Sequence, residues 1–281
     1  FTLIYKATEV VNFSQGEIMM VGAYIHFFFL NLLISLSGGF NGWIFFLAFI
    51  GSVIFAALFG IIMDFIINKP LKGEPVFSII MATISLAIIL RSLTAILAGP
   101  LSIIPISPFG DQTFFLNGVV ISILDISIIF SAIIIISSFY YFFNYTKWGI
   151  AMKATSADAE AAQLLGVPVD KVYRYVWIFA SLVGVLSGIM LAPRMALIDT
   201  SMSFLGLKAF PAAILGGFGS IKGAIVGGII LGIIETVSLG TLSFHFSWIK
   251  EINDIIIWIV LIAVLMIRPD GLFGVSKVKR V

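Results

Sequence analysis

Seven stretches of this chain are each apolar over a length that can cross a membrane, and this feature constrains its fold more than any other. A membrane helix needs about 20 mostly apolar residues to cross roughly 30 Å of hydrocarbon. The stretches run near 18–37, 43–67, 76–98, 118–143, 173–193, 222–240 and 252–267. Residues 1–11 read as the end of a further helix. The chain opens on Phe1 with no basic segment and cleavage site before the first span, so its first N-terminal residues are expected to lie upstream. The stretch 203–218 is apolar but short and glycine-rich, which fits a re-entrant segment, a broken helix or a tilted crossing. The expected class is an all-α, polytopic integral membrane protein with about eight transmembrane helices, forming a single transmembrane domain over 1–281.

Composition supports this and excludes much else. Of the 281 residues, 60% are hydrophobic and 11% are charged, with a mean hydropathy of +1.17. A soluble domain carries about 25% charged residues. The formal charge is +2 and the cations form no patch, so nucleic acid is not an expected partner; membrane lipid is. There are no cysteines, which removes disulfides and thiol chemistry. His26 and His245 lie far apart in sequence and read as tolerated side chains near an interface, so no metal site is expected.

Lysine and arginine set the orientation, because cytoplasmic loops carry the excess. Placing the loop 144–175 inside puts Lys147, Lys153, Lys171 and Arg174 there. Alternation then places Lys69, Lys72 and the tail cations Arg268, Lys277, Lys279 and Arg280 inside as well, and Lys222 with them if 203–218 crosses. Only Arg194, Lys208 and Lys250 fall outside. The C-terminus is therefore expected in the cytoplasm of a multi-pass inner or plasma membrane protein. The outer loop 99–117 holds Pro100, Pro105, Pro108 and Gly110, which make it irregular. It is either a plain connection or a contact with something outside.

The longest hydrophilic stretch, 146–172, carries a short helix near 156–165. Ser156 suits its N-cap, and Asp158 and Glu160 suit its positive end. The alanines favour helix, and Gly166 and Pro168 stop it. Such a helix either rests on its own bundle or passes motion from a soluble partner into the membrane. Glu160-Ala161-Ala162, followed by Gly166, resembles the EAA-x-x-x-G signature of ABC-importer permeases. The apolar-x-apolar-Pro run of that signature is replaced here by Val176–Phe179 without proline. The flanking runs Gly149–Ala154 and Leu164–Val167 resemble the branched-chain amino acid permeases of the LivH type. So do Asn12–Tyr24, Gly206–Phe210, Leu215–Ala224 and Arg268–Gly274, in the same order along the chain.

The resemblance implies that 146–172 is a cytoplasmic coupling loop, with Ala159, Glu160, Ala161, Ala162, Leu165 and Gly166 meeting an ATPase subunit. It implies two cytoplasmic ATPases, a second related permease and an extracytoplasmic solute-binding protein. The chain has no G-x-x-x-x-G-K-[ST] loop, so it is read as a non-enzymatic pathway subunit with no cofactor of its own. ATP and Mg would sit in the partner ATPases. Branched-chain or related amino acids are the expected solute. Urea, a sugar or a nucleoside carried by the same superfamily is the alternative, as is a self-contained secondary transporter. The latter would show inverted repeats, and none is evident. An integral membrane enzyme would need paired carboxylates or histidines near one interface, and none stands out.

Charges inside spans are costly, roughly 2.5–3.5 kcal/mol at the bilayer centre. Asn31, Asp64, Arg91, Asp125 and Glu235 are therefore singled out, with Asp64 placed near a span end where it reaches water. Arg91, Asp125 and Glu235 join Asn12, Gln15 and Glu17 as candidates for a translocation path. Arg91 with Asp125 is equally readable as a structural pair, and Asn12–Glu17 as an interfacial cap. Gly184 and Gly188, Gly219, Gly223 and Gly227, and Gly228 and Gly232 recur every four residues. That spacing lets helices approach backbone to backbone.

Overall fold

A computed structural model describes residues 1–8, 10–99, 102–108, 110, 112–116, 119–242 and 249–274. His245, Lys277, Lys279 and Arg280 lie outside the described residues. The chain divides into two compact units: Asn12–Ser203, and Phe1–Val11 with Phe204–Val281.

The larger unit holds α2 (Gln15–Ser37), α3 (Gly42–Met63), α4 (Val76–Ala98), α5 (Ile123–Tyr145), α6 (Lys147–Ala157), α7 (Ala159–Leu164) and α8 (Val169–Met195). A two-stranded antiparallel sheet, β1 (Thr113–Leu116) and β2 (Val119–Ser122), precedes α5. The smaller unit holds α1 (Thr2–Thr8), α9 (Phe204–Gly216), α10 (Ile221–Val237) and α11 (Ile249–Ile267). Among the described residues, six helices are long and apolar enough to cross a membrane: Gln15–Ser37, Gly42–Asn68, Val76–Ala98, Ile123–Tyr145, Val169–Met195 and Ile221–Thr241.

Two expected spans differ. The stretch near 118–143 begins as a strand and turns helical only at Ile123, because the β-branched run before it pairs with β1 and Ser122 Oγ accepts from Leu124 N–H at 3.1 Å. The stretch 203–218 becomes α9, whose 13 residues reach only about 20 Å, short of the roughly 30 Å of hydrocarbon.

The larger unit is organised on α8. Apolar burial does not drive helices together in lipid, so packing depends on close backbone approach. Gly184 and Gly188 open one stripe of α8 to α2. A Cβ on Gly188 would collide with Met19 O, and one on Gly184 would stand 2.8 Å from Gln15 Nε2. From the other side, a Cβ on Gly22 would lie 2.5 Å from Val185 Cα. Gly60 of α3 meets the α8 backbone at Ile178 in the same way. Ala56, Val185 and Ile189 fill the centre.

In the smaller unit, α9 and α10 form a hairpin in which Gly216 meets Gly223, and Gly227 meets Ala212 and Gly216. The chain after α11 returns to cap α9: Leu272 and Phe273 donate their N–H groups to Leu215 O and Gly216 O at 2.9 and 3.0 Å. Leu215, Leu231, Ile257 and Leu261 form the core. Gly219, Gly228 and Gly232, expected to pack as the other glycines do, have nothing within 4 Å of a built Cβ. Gly219 lies in the turn between the helices. Gly228 sits about 100° round α10 from Gly227, and Gly232 lies one turn further along that open face.

Gly188→Leu is expected to destabilise the purified protein by about 3 kcal/mol or to prevent its folding, whereas Gly232→Ala raises stability by up to about 1 kcal/mol. Thermal unfolding in detergent checks both.

Candidate functional site

Two regions carry the chemistry: the segment between α5 and α8, and a buried polar cluster where α2 begins. Both belong to the larger unit.

The first region starts at the corner of α5 and α6, where a Cβ on Gly149 would collide with Phe142 O. Thr146 caps α6, its Oγ1 accepting from Gly149 N–H at 3.1 Å. The next helix begins later than its sequence indicates. Ser156 still lies in α6 and turns back to donate to Lys153 O at 3.1 Å. Asp158 is the N-cap, in extended backbone (φ −160°, ψ 106°), with Oδ1 accepting from Ala161 N–H at 2.9 Å. An aspartate accepts here more strongly than a serine whose hydroxyl is already committed to a carbonyl.

The helix α7 ends in a Schellman closure. Gly166 stands at φ +85° and donates to Gln163 O at 3.0 Å, and Val167 donates to Ala162 O at 3.0 Å. Gly166 is needed because a Cβ is strained at that angle. Ala162 faces inward and is buried, while Glu160 and Ala161 are exposed. Leu164 and Leu165 are 89% and 86% exposed. Leu164, the last residue of α7, and Leu165, its C-cap, thus lie bare within the hydrophilic stretch. The region is anchored to α8 through Trp148 on Tyr175, with ring centroids 4.4 Å apart.

The second region is where the chain enters α2. Asn12, Ser14 and Glu17 are each less than 5% exposed. Gln15 lies beside Ala180, the twelfth residue of α8, and its Nε2 donates to Ala180 O at 2.9 Å. That point is about 17 Å along α8. The start of α2 is thus buried among the helices of the larger unit. Asn12 Oδ1 accepts from both Ser14 N–H (3.1 Å) and Ser14 Oγ (2.7 Å). Phe13 N–H reaches Thr83 Oγ1 of α4 at 3.4 Å. Arg91 of α4 donates to Glu17 Oε1 at 2.6 Å. Trp177 and Ser181 lie on the α8 stripe that continues into Gly184 and Gly188, and both are buried.

The remaining charged candidates lie elsewhere. Asp125 pairs with Arg194 at 2.9 Å, so the suggested Arg91–Asp125 pair does not form. These partners follow from helix ends: Asp125 opens α5 where α8 closes, whereas Arg91 lies mid-helix beside α2. Asp64 is 1% exposed and does not reach water. It accepts from Arg174 Nε at 3.2 Å and Asn68 Nδ2 at 2.7 Å, where α3 ends in a π turn. Glu235 accepts from Lys208 at 2.8 Å within the smaller unit, which moves Lys208 from an outer loop into a helix pair. Asn31 is exposed. His26 is buried rather than interfacial, with Nδ1 3.2 Å from Ser52 Oγ and its ring against Phe45.

Residues 1–265 match the family described as branched-chain amino acid transport system permease component. The chain belongs to this family. It is 28% identical over 290 residues to the high-affinity branched-chain amino acid transport system permease protein LivH of Escherichia coli K12, covering 100% of this chain and 91% of that one. It is 27% identical over 288 residues to BraD of Pseudomonas aeruginosa, with the same coverage. A probable branched-chain amino acid transport permease protein LivH of Methanocaldococcus jannaschii is 29% identical over 289 residues, covering 99% and 88%. No solved structure matches the chain.

Sequence reasoning passed over Ser181 and Trp177 in this permease. The signal was present: at spacings of four and three residues they lead into Gly184 on one stripe of a helix that otherwise reads as a plain apolar span.

Arg91→Met strands the buried Glu17 carboxylate and is expected to cost about 3–5 kcal/mol, while adding Glu17→Gln restores most of that loss. A double-mutant cycle on thermal unfolding in detergent measures it.

Proposed function

We propose that this permease forms, with a second related permease, the membrane pathway of an ABC importer for branched-chain or related amino acids. Two separate cytoplasmic ATPases drive it, and an extracytoplasmic binding protein delivers the solute. The observation that carries this reading is α7: a helix stiffened at both ends, presenting Leu164 and Leu165 bare to a partner. A self-sufficient transporter has no use for such a surface. The branched-chain amino acid permeases that it resembles over its whole length supply the solute.

The mechanism follows from connectivity. Closure of the ATPase pair moves α7, whose capped ends keep it from bending. The motion passes through the α6–α8 contact into α8, a continuous helix from Val169 to Met195. Its midpoint carries Ala180 and Ser181 beside the start of α2, so a push at the loop displaces the wall of the polar cluster. The Asn12, Gln15, Glu17 and Arg91 group is then the polar step of the path, whereas the Arg194–Asp125 and Lys208–Glu235 pairs hold helices together.

Orientation draws on the same geometry. Lys72 pairs with Asp170 at 2.5 Å, bringing the loop after α3 to the end of the unit where α8 begins. In the smaller unit, Gly217 and Gly274 meet, so the turn beside Lys222 shares an end with the segment after Arg268. Placing these cation-bearing ends in the cytoplasm satisfies the positive-inside preference and puts α7 on the side of ATP.

Leu164→Asp combined with Leu165→Asp is expected to leave membrane insertion and thermal stability intact, because both side chains are exposed. Co-purification of the ATPases and leucine uptake fall about tenfold or more. Pull-down from solubilised membranes with mass spectrometry, alongside an uptake assay, checks this. Normal uptake and an unchanged set of partners sink the assignment.

A further inference from the structure

The start of α2 leaves polar atoms without partners in a place where they are expensive. The first-turn N–H groups of an α-helix, here those of Gln15, Gly16 and Glu17, have no acceptor within the helix. Ser14 stands at the N-cap, but its side chain makes no capping bond. It is turned instead toward Asn12 Oδ1. Asn12 Nδ2 has no partner, and its residue is 1% exposed. Because Oδ1 of the same amide holds Ser14 N–H, Nδ2 is fixed at the mouth of this helix. Two further buried atoms that can accept are without partners. One is Gln15 Oε1, on the side chain that reaches Ala180 O, and the other is Oγ of the adjoining, fully buried Ser181.

Each buried, unmatched polar group costs free energy, and no bulk water reaches the hydrocarbon interior to relieve it. The ligand that fits can be read from the atoms. The N–H groups of α2 and Asn12 Nδ2 are donors at the positive end of a helix, which suits a carboxylate. Gln15 Oε1, on the first residue of α2, and Ser181 Oγ, next to the Ala180 that Gln15 reaches, can accept, which suits an ammonium group. Glu17, the third residue of the helix, is already neutralised by Arg91. The site therefore carries little net charge, and a group bearing one positive and one negative charge side by side matches it better than a bare anion.

We propose that the start of α2 and the Ser181 turn of α8 form a transient binding site for the α-ammonium and α-carboxylate groups of an amino acid in transit. This rests on the importer reading above and deepens it. The site holds the part common to all amino acids and leaves the choice of side chain to other surfaces. It is closed in this state, since Ser14 and Ser181 are fully buried, and it opens when α8 moves relative to α2. The glycine stripe that joins the two helices leaves few side chains to part on sliding, the Gln15 bond to Ala180 O among them.

The test uses the complete complex in proteoliposomes with its binding protein, and it reads leucine imported per ATP hydrolysed. Asn12→Asp keeps the Oδ1 bond to Ser14 but replaces the free donor with a negative oxygen. Ser181→Ala removes the free acceptor, and because that hydroxyl has no partner, thermal stability holds or rises. Each variant is expected to lower the ratio about tenfold or more. A ratio within about twofold of the parent's overturns the site, whether the two rates stay high or fall together. If the unsubstituted complex imports no leucine above protein-free liposomes, the importer reading fails and the site fails with it.

Discussion

The close approach of α2 to α8 is the contact on which the larger unit depends. In lipid, two apolar helices gain little by leaving hydrocarbon for each other, so they associate through tight packing and specific polar contacts. Gly22 on one helix and Gly184 and Gly188 on the other remove the side chains that would hold the backbones apart. This contact also fixes a depth: Gln15, the first residue of α2, is held beside Ala180 at the middle of α8. A helix start is thereby buried among neighbouring helices. Asn12, Thr83 and Ala180 O meet part of the resulting demand.

Charge placement follows the same economy. Glu17 with Arg91 ties α2 to α4, Asp64 with Arg174 ties α3 to α8, and Lys208 with Glu235 ties α9 to α10. In each pair one member is at least partly buried, so its partner offsets a desolvation that would otherwise be severe. Removing either partner costs more than the pair itself contributes. By contrast, α7 is closed by short-range bonds, from Asp158 at one end and Gly166 and Val167 at the other. Local closure of this kind keeps a short helix rigid while Leu164 and Leu165 stay exposed.

Local signals were readable where the physics was local. The span boundaries at 37, 76, 98 and 267 coincide with helix ends because apolar runs and their flanking polar or glycine residues act over a few residues. The stop at Gly166 was legible for the same reason. The N-cap was not, because Ser156 and Asp158 are both acceptable caps and only the backbone path of α6 decides between them. The strand at Val119–Ser122 was hidden inside an apolar run, where a buried strand and the start of a helix look alike.

The sequence by itself determined that this chain spans a membrane, which end holds its cations, and that a short capped helix interrupts the spans, because length, charge and turn chemistry act within a few neighbouring residues. Only the tertiary structure decided which charges meet. Arg91 chose Glu17 over Asp125, Lys208 left its expected loop for Glu235, and Gln15 met Ala180 O across 165 residues. Those choices depend on how far each helix slides along its neighbours. That sliding is set by where backbone can touch backbone, a property of pairs of helices rather than of either one.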